Sequence, residues 1–252
     1  MVNAASKADI VFFGEEHDDP ETHFAEFALL EGIGQMRPNV VLSLEMFERD
    51  VQPILDDYLA GRTSEADFLA KSRPWDRYAT DYRPLVVLAR ARGWPVIASN
   101  VPRPIASAVG RKGLAALDSL PPASRAHAAR DNICPRDRYY DLFADQMKEH
   151  TMPDTGMVGR FYAAQCVKDE TMGESVVNAL ARAGDDAIVV HFDGSFHSDY
   201  GLGTVARALR RAPNAKRVII TAVSVADPLN ENPAEVAPRA DFVIFTRKPA
   251  AR

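Results

Sequence analysis

An α/β fold, a mainly parallel sheet flanked by helices, is what this sequence predicts, and three observations predict it. Short runs of branched and aromatic residues recur along the chain. Most of them end in a glycine or an acid, and between the early ones lie apolar stripes at helical spacing. Strands that alternate with helices in this way form parallel sheets covered on both faces.

The elements follow in order. Asp9 to Phe13 leads into Gly14, and Val40 to Leu44 into Glu45. Val96 to Ser99 ends at Asn100, Ala187 to Phe192 at Asp193 and Gly194, and Val218 to Val225 shortly before Asp227. Asp241 to Thr246 completes the set. Phe24, Phe27 and Ala28 mark a helix between the first two strands. Asp19 is its N-cap, Pro20 opens its first turn, and Glu21 faces the positive end of its dipole. Val51, Ile54, Leu55, Tyr58 and Leu59 form one apolar face after the second strand. A third helix runs from Pro84 to Arg92, with Gly93 just past its end. The interval from Pro102 to Asp186 is too long for one crossover and carries no strand pattern. It predicts a helical insertion, about 102–186, between the middle strands of a single domain spanning 1–252. Its Tyr139, Tyr140, Phe143, Met147, Met157, Phe161, Tyr162, Met172, Val176 and Leu180 read as helix packing, with a lid or apolar ligand pocket as the alternative.

Composition narrows the partners. A chain of 252 residues that is 46% hydrophobic can bury a substantial core. A net charge of -5 and a pI near 5.7 provide no positive field to gather phosphates. Nucleic acid and anionic membrane are therefore poor partners, and small molecules or metal ions fit better. Arg207, Arg210, Arg211, Lys216 and Arg217 read as a solvated helix face. No apolar run approaches the ~20 residues that span a bilayer, so the chain as given reads as soluble. Cys134 and Cys166 lack zinc-finger spacing and read as two ordinary thiols, with pairing reserved for an oxidising compartment.

Open parallel sheets bind ligands outside the carboxyl ends of their strands. There the first strand provides Gly14-Glu15-Glu16-His17, the second Glu45, and the late strand Gly194-Ser195-Phe196-His197. Glycine would let the chain turn and direct each histidine back over the sheet. Imidazole with carboxylate is a ligand set for a divalent transition metal or, alternatively, a general acid/base pair. His17, Glu45 and His197 are thus the expected metal ligands, and Glu15 or Glu16 the candidate base. His23, Asn100 and Asp193 are expected as supporting partners, with His23 otherwise at the surface. The stretch between Lys7 and Arg37 carries acids but no basic residue, which favours a cationic partner. His127 and His150 read as solvated and His191 as a core histidine. Neither a phosphate loop nor a Gly-x-Ser-x-Gly elbow is present.

Phe13-Gly14-Glu15-Glu16-His17-Asp18-Asp19-Pro20, Leu44-Glu45-Met46-Phe47-Glu48-Arg49, Tyr82-Arg83-Pro84-Leu85, Ala98-Ser99-Asn100-Val101-Pro102-Arg103 and Gly194-Ser195-Phe196-His197-Ser198-Asp199-Tyr200-Gly201 together resemble the ChaN family. That family comprises haem-binding, iron-regulated lipoproteins of the Tiki superfamily, alongside metal-dependent proteases and erythromycin-esterase-like hydrolases. The resemblance implies either a haem-binding protein of iron uptake with a tyrosine ligand, or a hydrolase whose metal sits on the Gly-x-x-His turns and the glutamate. The cofactor is accordingly haem or a divalent ion such as manganese, cobalt, zinc or iron. Tyr200, Tyr82, Tyr139 and Tyr140 are the haem-ligand candidates. An exported or membrane-anchored location is implied, although no lipid-attachment cysteine stands near residue 1, so anchoring would need a leader already removed.

Overall fold

The structure, a computed structural model, describes residues 1–149 and 155–248. All six expected runs are strands: β1 Ile10–Glu15, β2 Val40–Glu48, β3 Val96–Asn100, β4 Ile188–Gly194, β5 Arg217–Val225 and β6 Phe242–Arg247. They form one all-parallel sheet in the order β3-β2-β4-β1-β5-β6. Gly14 and Glu45, read as residues that follow their strands, lie inside them.

Alternation along each strand decides which side chain meets which helix. Val11 and Phe13 of β1, Leu42 and Leu44 of β2, and Val190 and Phe192 of β4 share one buried cluster. Its other members include Leu29, Leu30 and Ile33 of the Pro20–Met36 helix and Leu85, Val86 and Ala89 of the Arg83–Arg92 helix. Ile10, Phe12, Val41 and Val189 face the opposite way, onto Val176 and Ala179 of the Thr155–Ala183 helix and Val205 and Ala208 of the Gly203–Arg211 helix. Each buried valine, leucine, isoleucine or phenylalanine here contributes about 1.5–3 kcal/mol, and each alanine less. Asp19 caps the Pro20–Met36 helix by accepting from the Glu21 amide, as the sequence reads.

The insertion between β3 and β4 is helical and holds no strand among the described residues. It is not a separate lid. The later half of the Thr155–Ala183 helix covers the sheet, while Val158, Tyr162 and Cys166 in its earlier half pack with Tyr139 and Phe143 of the Arg138–Glu149 helix, as well as Phe196 beyond β4.

Two expectations are corrected here. Cys134 and Cys166 are not free thiols but form a disulfide, which ties the loop before Arg138–Glu149 to the long helix. The basic group is not one solvated face. Arg207 is 3% exposed, with its guanidinium 5.1 Å from the Tyr139 ring centre, and Arg210 and Arg211 each lie 2.6 Å from Glu170, itself fully buried. A buried carboxylate on the long helix requires cations beside it, and the Gly203–Arg211 helix presents them; Arg210, Lys216 and Arg217 are exposed, Arg211 is half-buried and Arg207 is buried. His150 lies outside the described residues.

The two turn glycines have a different reason from the one expected. Neither has a positive φ. A Cβ on Gly14 would sit 2.7 Å from Ser195 Cα and 2.7 Å from Ser198 Oγ, and one on Gly194 would sit 2.8 Å from His17 Nε2. Each glycine is therefore a close-approach point for the other turn.

This packing predicts that Gly14→Ala loses about 1–3 kcal/mol of stability in urea denaturation, because backbone lies in the way. Gly110→Ala is the control. It sits mid-helix with its nearest neighbour 3.7 Å away, so it should be neutral or stabilising by up to about 1 kcal/mol. Equal effects at the two positions would contradict the close-approach account.

Candidate functional site

The pleat sends Glu15, the last residue of β1, toward the Pro20–Met36 helix, where it is 3% exposed. Its Oε1 lies 2.6 Å from His17 Nδ1 and also accepts from the Tyr82 hydroxyl. The proton therefore sits on Nδ1, and His17 Nε2 faces outward. The ring is held edge-on to Trp75, 4.8 Å between centres. Burial opposes a charge on His17, but the Glu15 bond and Glu45 raise its pKa above the ordinary imidazole value.

His197 is built the same way from the other side. Its Nδ1 lies 2.7 Å from Asp169 Oδ1, an oxygen that also accepts from Thr204 Oγ1 at 3.1 Å. Its Nε2 lies 3.4 Å from Glu45 Oε1, while Glu45 Oε2 accepts from the Gly194 amide at 2.8 Å. Gln165 Nε2 stands 3.3 Å from the ring nitrogens. Burial disfavours the imidazolium, yet Glu45 and Asp169 outweigh it and lift His197 to about 10. Burial would raise Glu45, but His197 and His17 hold its carboxyl well below the usual range.

His17, Glu45 and His197 thus converge as the sequence predicts. His17 Nε2 and Glu45 Oε2 lie 2.8 and 3.7 Å from the point a Gly194 Cβ would occupy. Both histidines have Nδ1 on a buried carboxylate and leave Nε2 toward Glu45, the orientation that metal-ligating histidines take. This donor set fits a divalent transition ion. The centre opens into a cleft of about 880 Å³ lined by Glu48, Arg73, Trp75, Arg103 and Lys168.

The remaining expected residues scatter. Glu15 lies behind His17, away from the cleft, and orients it instead of facing a substrate. Glu16 is half-buried. Burial and then Asp18 raise its pKa, and no hydrogen bond joins it to His17 among the described residues. His23 is 5% exposed, contrary to its surface reading; it contacts Glu26 and the His17 carbonyl. Asn100 accepts from the Val101 amide and serves its own turn. Asp193 is fully buried, 3.5 Å from His191 Nε2, and burial holds its carboxyl well above the usual range. His191 is the core histidine expected. It meets Ser43 Oγ at 2.9 Å, and burial lowers it to about 4. His127 is half-buried, less open than its solvated reading.

Among the tyrosines, Tyr82 and Tyr139 are 2% and 1% exposed, with Tyr82 engaged by Glu15 and Tyr139 stacked on Phe196. Tyr140 packs on Tyr162. Tyr200 has a left-handed φ of 61° and lines a separate cavity of about 160 Å³. None of the four lines the main cleft. Sequence reasoning missed Asp169, Trp75, Arg103 and Lys168. Asp169 had a signal: it is a lone acid in the apolar stripe Tyr162, Cys166, Asp169, Gly173, Val176, Leu180.

Comparison with known proteins agrees with this architecture. Residues 1–208 match the family described as haem-binding uptake, Tiki superfamily, ChaN. The ChaN protein of Campylobacter jejuni, solved with cofacial haem binding, superposes with a TM-score of 0.67 at 16% identity, covering 96% of this chain and 89% of that one. An erythromycin esterase mutant, EreC, in its open conformation gives 0.55 at 11% identity, covering 88% and 72%. At such identities these likenesses establish the fold. The Arabidopsis thaliana chloroplastic protein RETICULATA-RELATED 5 is 25% identical over 236 residues. That alignment covers 84% of this chain, which spans only 31% of that protein's length.

The His197 environment makes a prediction for the metal-free protein. Its imidazole stays protonated to about 10 when folded, against an ordinary value of 6.5 when unfolded. The stability this provides is complete below about pH 6.5 and is lost as pH climbs toward 10. The urea midpoint should fall across that window, and the fall should shrink in His197→Gln. Identical pH profiles for the two proteins would contradict the assignment.

Proposed function

The chain belongs to the ChaN family of haem-binding uptake proteins in the Tiki superfamily, and on that premise we propose that its cleft is a metal-dependent hydrolase site for esters or amides, with His17 and His197 holding the ion and Glu45 acting as base. The observation that carries this reading is the matched pair of orienting carboxylates, 2.6 Å from His17 Nδ1 and 2.7 Å from His197 Nδ1, with Glu45 between the free nitrogens. A bound divalent ion would acidify a water molecule toward neutrality. Glu45, held ionised, would accept the proton during attack. Glu15 and Asp169 would fix the tautomers and ring planes. Arg73, Arg103 and Lys168 at the rim suit a substrate bearing an anionic group, and Trp75 offers a flat apolar wall.

The test separates binding from chemistry. Glu45→Gln should keep the ion while hydrolysis falls ~100-fold or more, measured on ester and peptide panels with manganese, cobalt or zinc. His17→Ala combined with His197→Ala should lose the cleft-bound equivalent. Unchanged rates in Glu45→Gln, or no turnover with any metal, would remove the hydrolase reading.

A second reading, haem binding, is supported by the family and by a cleft volume within the usual ligand range. Here His17 would hold the iron, since the Tyr82 and Tyr139 side chains are buried, and the rim cations would suit haem's carboxylates. The Soret change on haem titration should then saturate, disappear in His17→Ala and survive Tyr200→Phe. The reverse pattern would restore the tyrosine ligand. With haem binding would go a role in iron uptake and an exported location, and the Cys134–Cys166 disulfide supports an oxidising compartment.

A further inference from the structure

Behind His17, on the side away from the cleft, Glu15, His23 and Glu26 bring one ligand atom each to within 4.8 Å of one another, and all three are buried. Two carboxylate oxygens there, Glu15 Oε2 and Glu26 Oε1, have no hydrogen-bond partner among the described residues. Buried polar atoms are nearly always paired, and a buried carboxylate oxygen without a donor is costly. Asp81 adds a third carboxylate, 3.4 Å from His23 Nε2, and Arg77 pairs with it.

The tautomer of His23 sharpens the point. Its Nε2 lies 3.1 Å from the His17 carbonyl oxygen, which can only accept, so Nε2 carries the hydrogen. In the neutral ring the other nitrogen, Nδ1, then presents a lone pair to Glu26 Oε2 at 2.9 Å. Burial and the neighbouring Glu15 hold the Glu26 carboxyl well above the usual range, so without metal a proton fills this gap, and a cation would take the proton's place. A histidine that donates one N–H to a carbonyl and turns its bare nitrogen to carboxylates has the orientation of a metal ligand.

We propose that Glu15, His23 and Glu26 form a second, buried binding site for a divalent cation. One imidazole nitrogen and two carboxylate oxygens are a donor set for a first-row transition ion, and one such ion would satisfy both orphaned oxygens and the His23 lone pair together. The route in is a second opening, which meets the first cleft at Asp76. His23 and Asp81 line this opening of about 660 Å³ with Phe24, Arg77 and Thr80. Two links join the site to the cleft centre: Glu15, whose Oε1 holds His17 while its other oxygen turns toward Glu26, and the His23 contact with the His17 carbonyl.

The test is equilibrium dialysis of chelator-stripped full-length protein against Co(II), with metal analysis. Wild type should bind two equivalents, and Glu26→Gln, His23→Gln and the His17→Ala/His197→Ala pair should bind one each. The Gln variants keep side-chain size, and circular dichroism checks their folding. A wild type that binds one equivalent, lost only in the His17/His197 variant, overturns this site and leaves the cleft reading standing. One equivalent lost only in Glu26→Gln and His23→Gln supports this site and removes the cleft reading. Two equivalents retained in both Gln variants also overturn it.

Discussion

Everything at the site depends on two turns packed into each other. Because β1 and β4 are parallel neighbours with Glu15 opposite Gly194, the segments leaving their carboxyl ends emerge side by side and compete for one volume. Glycine at positions 14 and 194 removes the two methyl groups that would hold them apart. The His17 ring then rests on Gly194, Ser195 rests on Gly14, and Glu45 on β2 reaches the Gly194 amide from the other flank of β4. A centre assembled from three adjacent strands needs no loop to fold over it.

Electrostatics follows from that crowding. Glu45 is buried where a lone carboxylate would be costly, and it is held ionised because two imidazoles and a backbone N–H face it. The imidazoles are in turn anchored by carboxylates on their far sides, one from the end of β1 two residues before His17 and one from the insertion. The insertion therefore does more than cover the sheet. Asp169 lies one turn beyond Cys166 on the Thr155–Ala183 helix, so the disulfide and the Arg207–Tyr139 stack fix the part of the helix that aims His197.

The strands were legible because each is a short apolar run ended by a turn or an acid, and burial on both faces leaves little else such a run can become. The convergence of His17, Glu45 and His197 was legible because residues after parallel strands share one edge of the sheet whatever their separation in sequence. What the residues did not reveal was direction. Glu15 and Glu16 are neighbours in sequence, yet the pleat buries one behind His17 and leaves the other half-exposed. Asp169 went unread because one acid scarcely alters the apolar pattern around it. The pairing of Cys134 with Cys166 and the burial of Arg207 depend on how the insertion folds back over the sheet, and no local pattern encodes that.

The most direct test of the interlocked centre is a crystal structure of the protein soaked with Co(II), with anomalous data collected at the cobalt edge. The account predicts an anomalous peak bonded to His17 Nε2 and His197 Nε2, with Glu45 beside it, at roughly the 2.0–2.1 Å typical of imidazole–metal bonds. A cobalt-bound crystal with no peak between these two nitrogens, or with the two histidines turned apart, would contradict it.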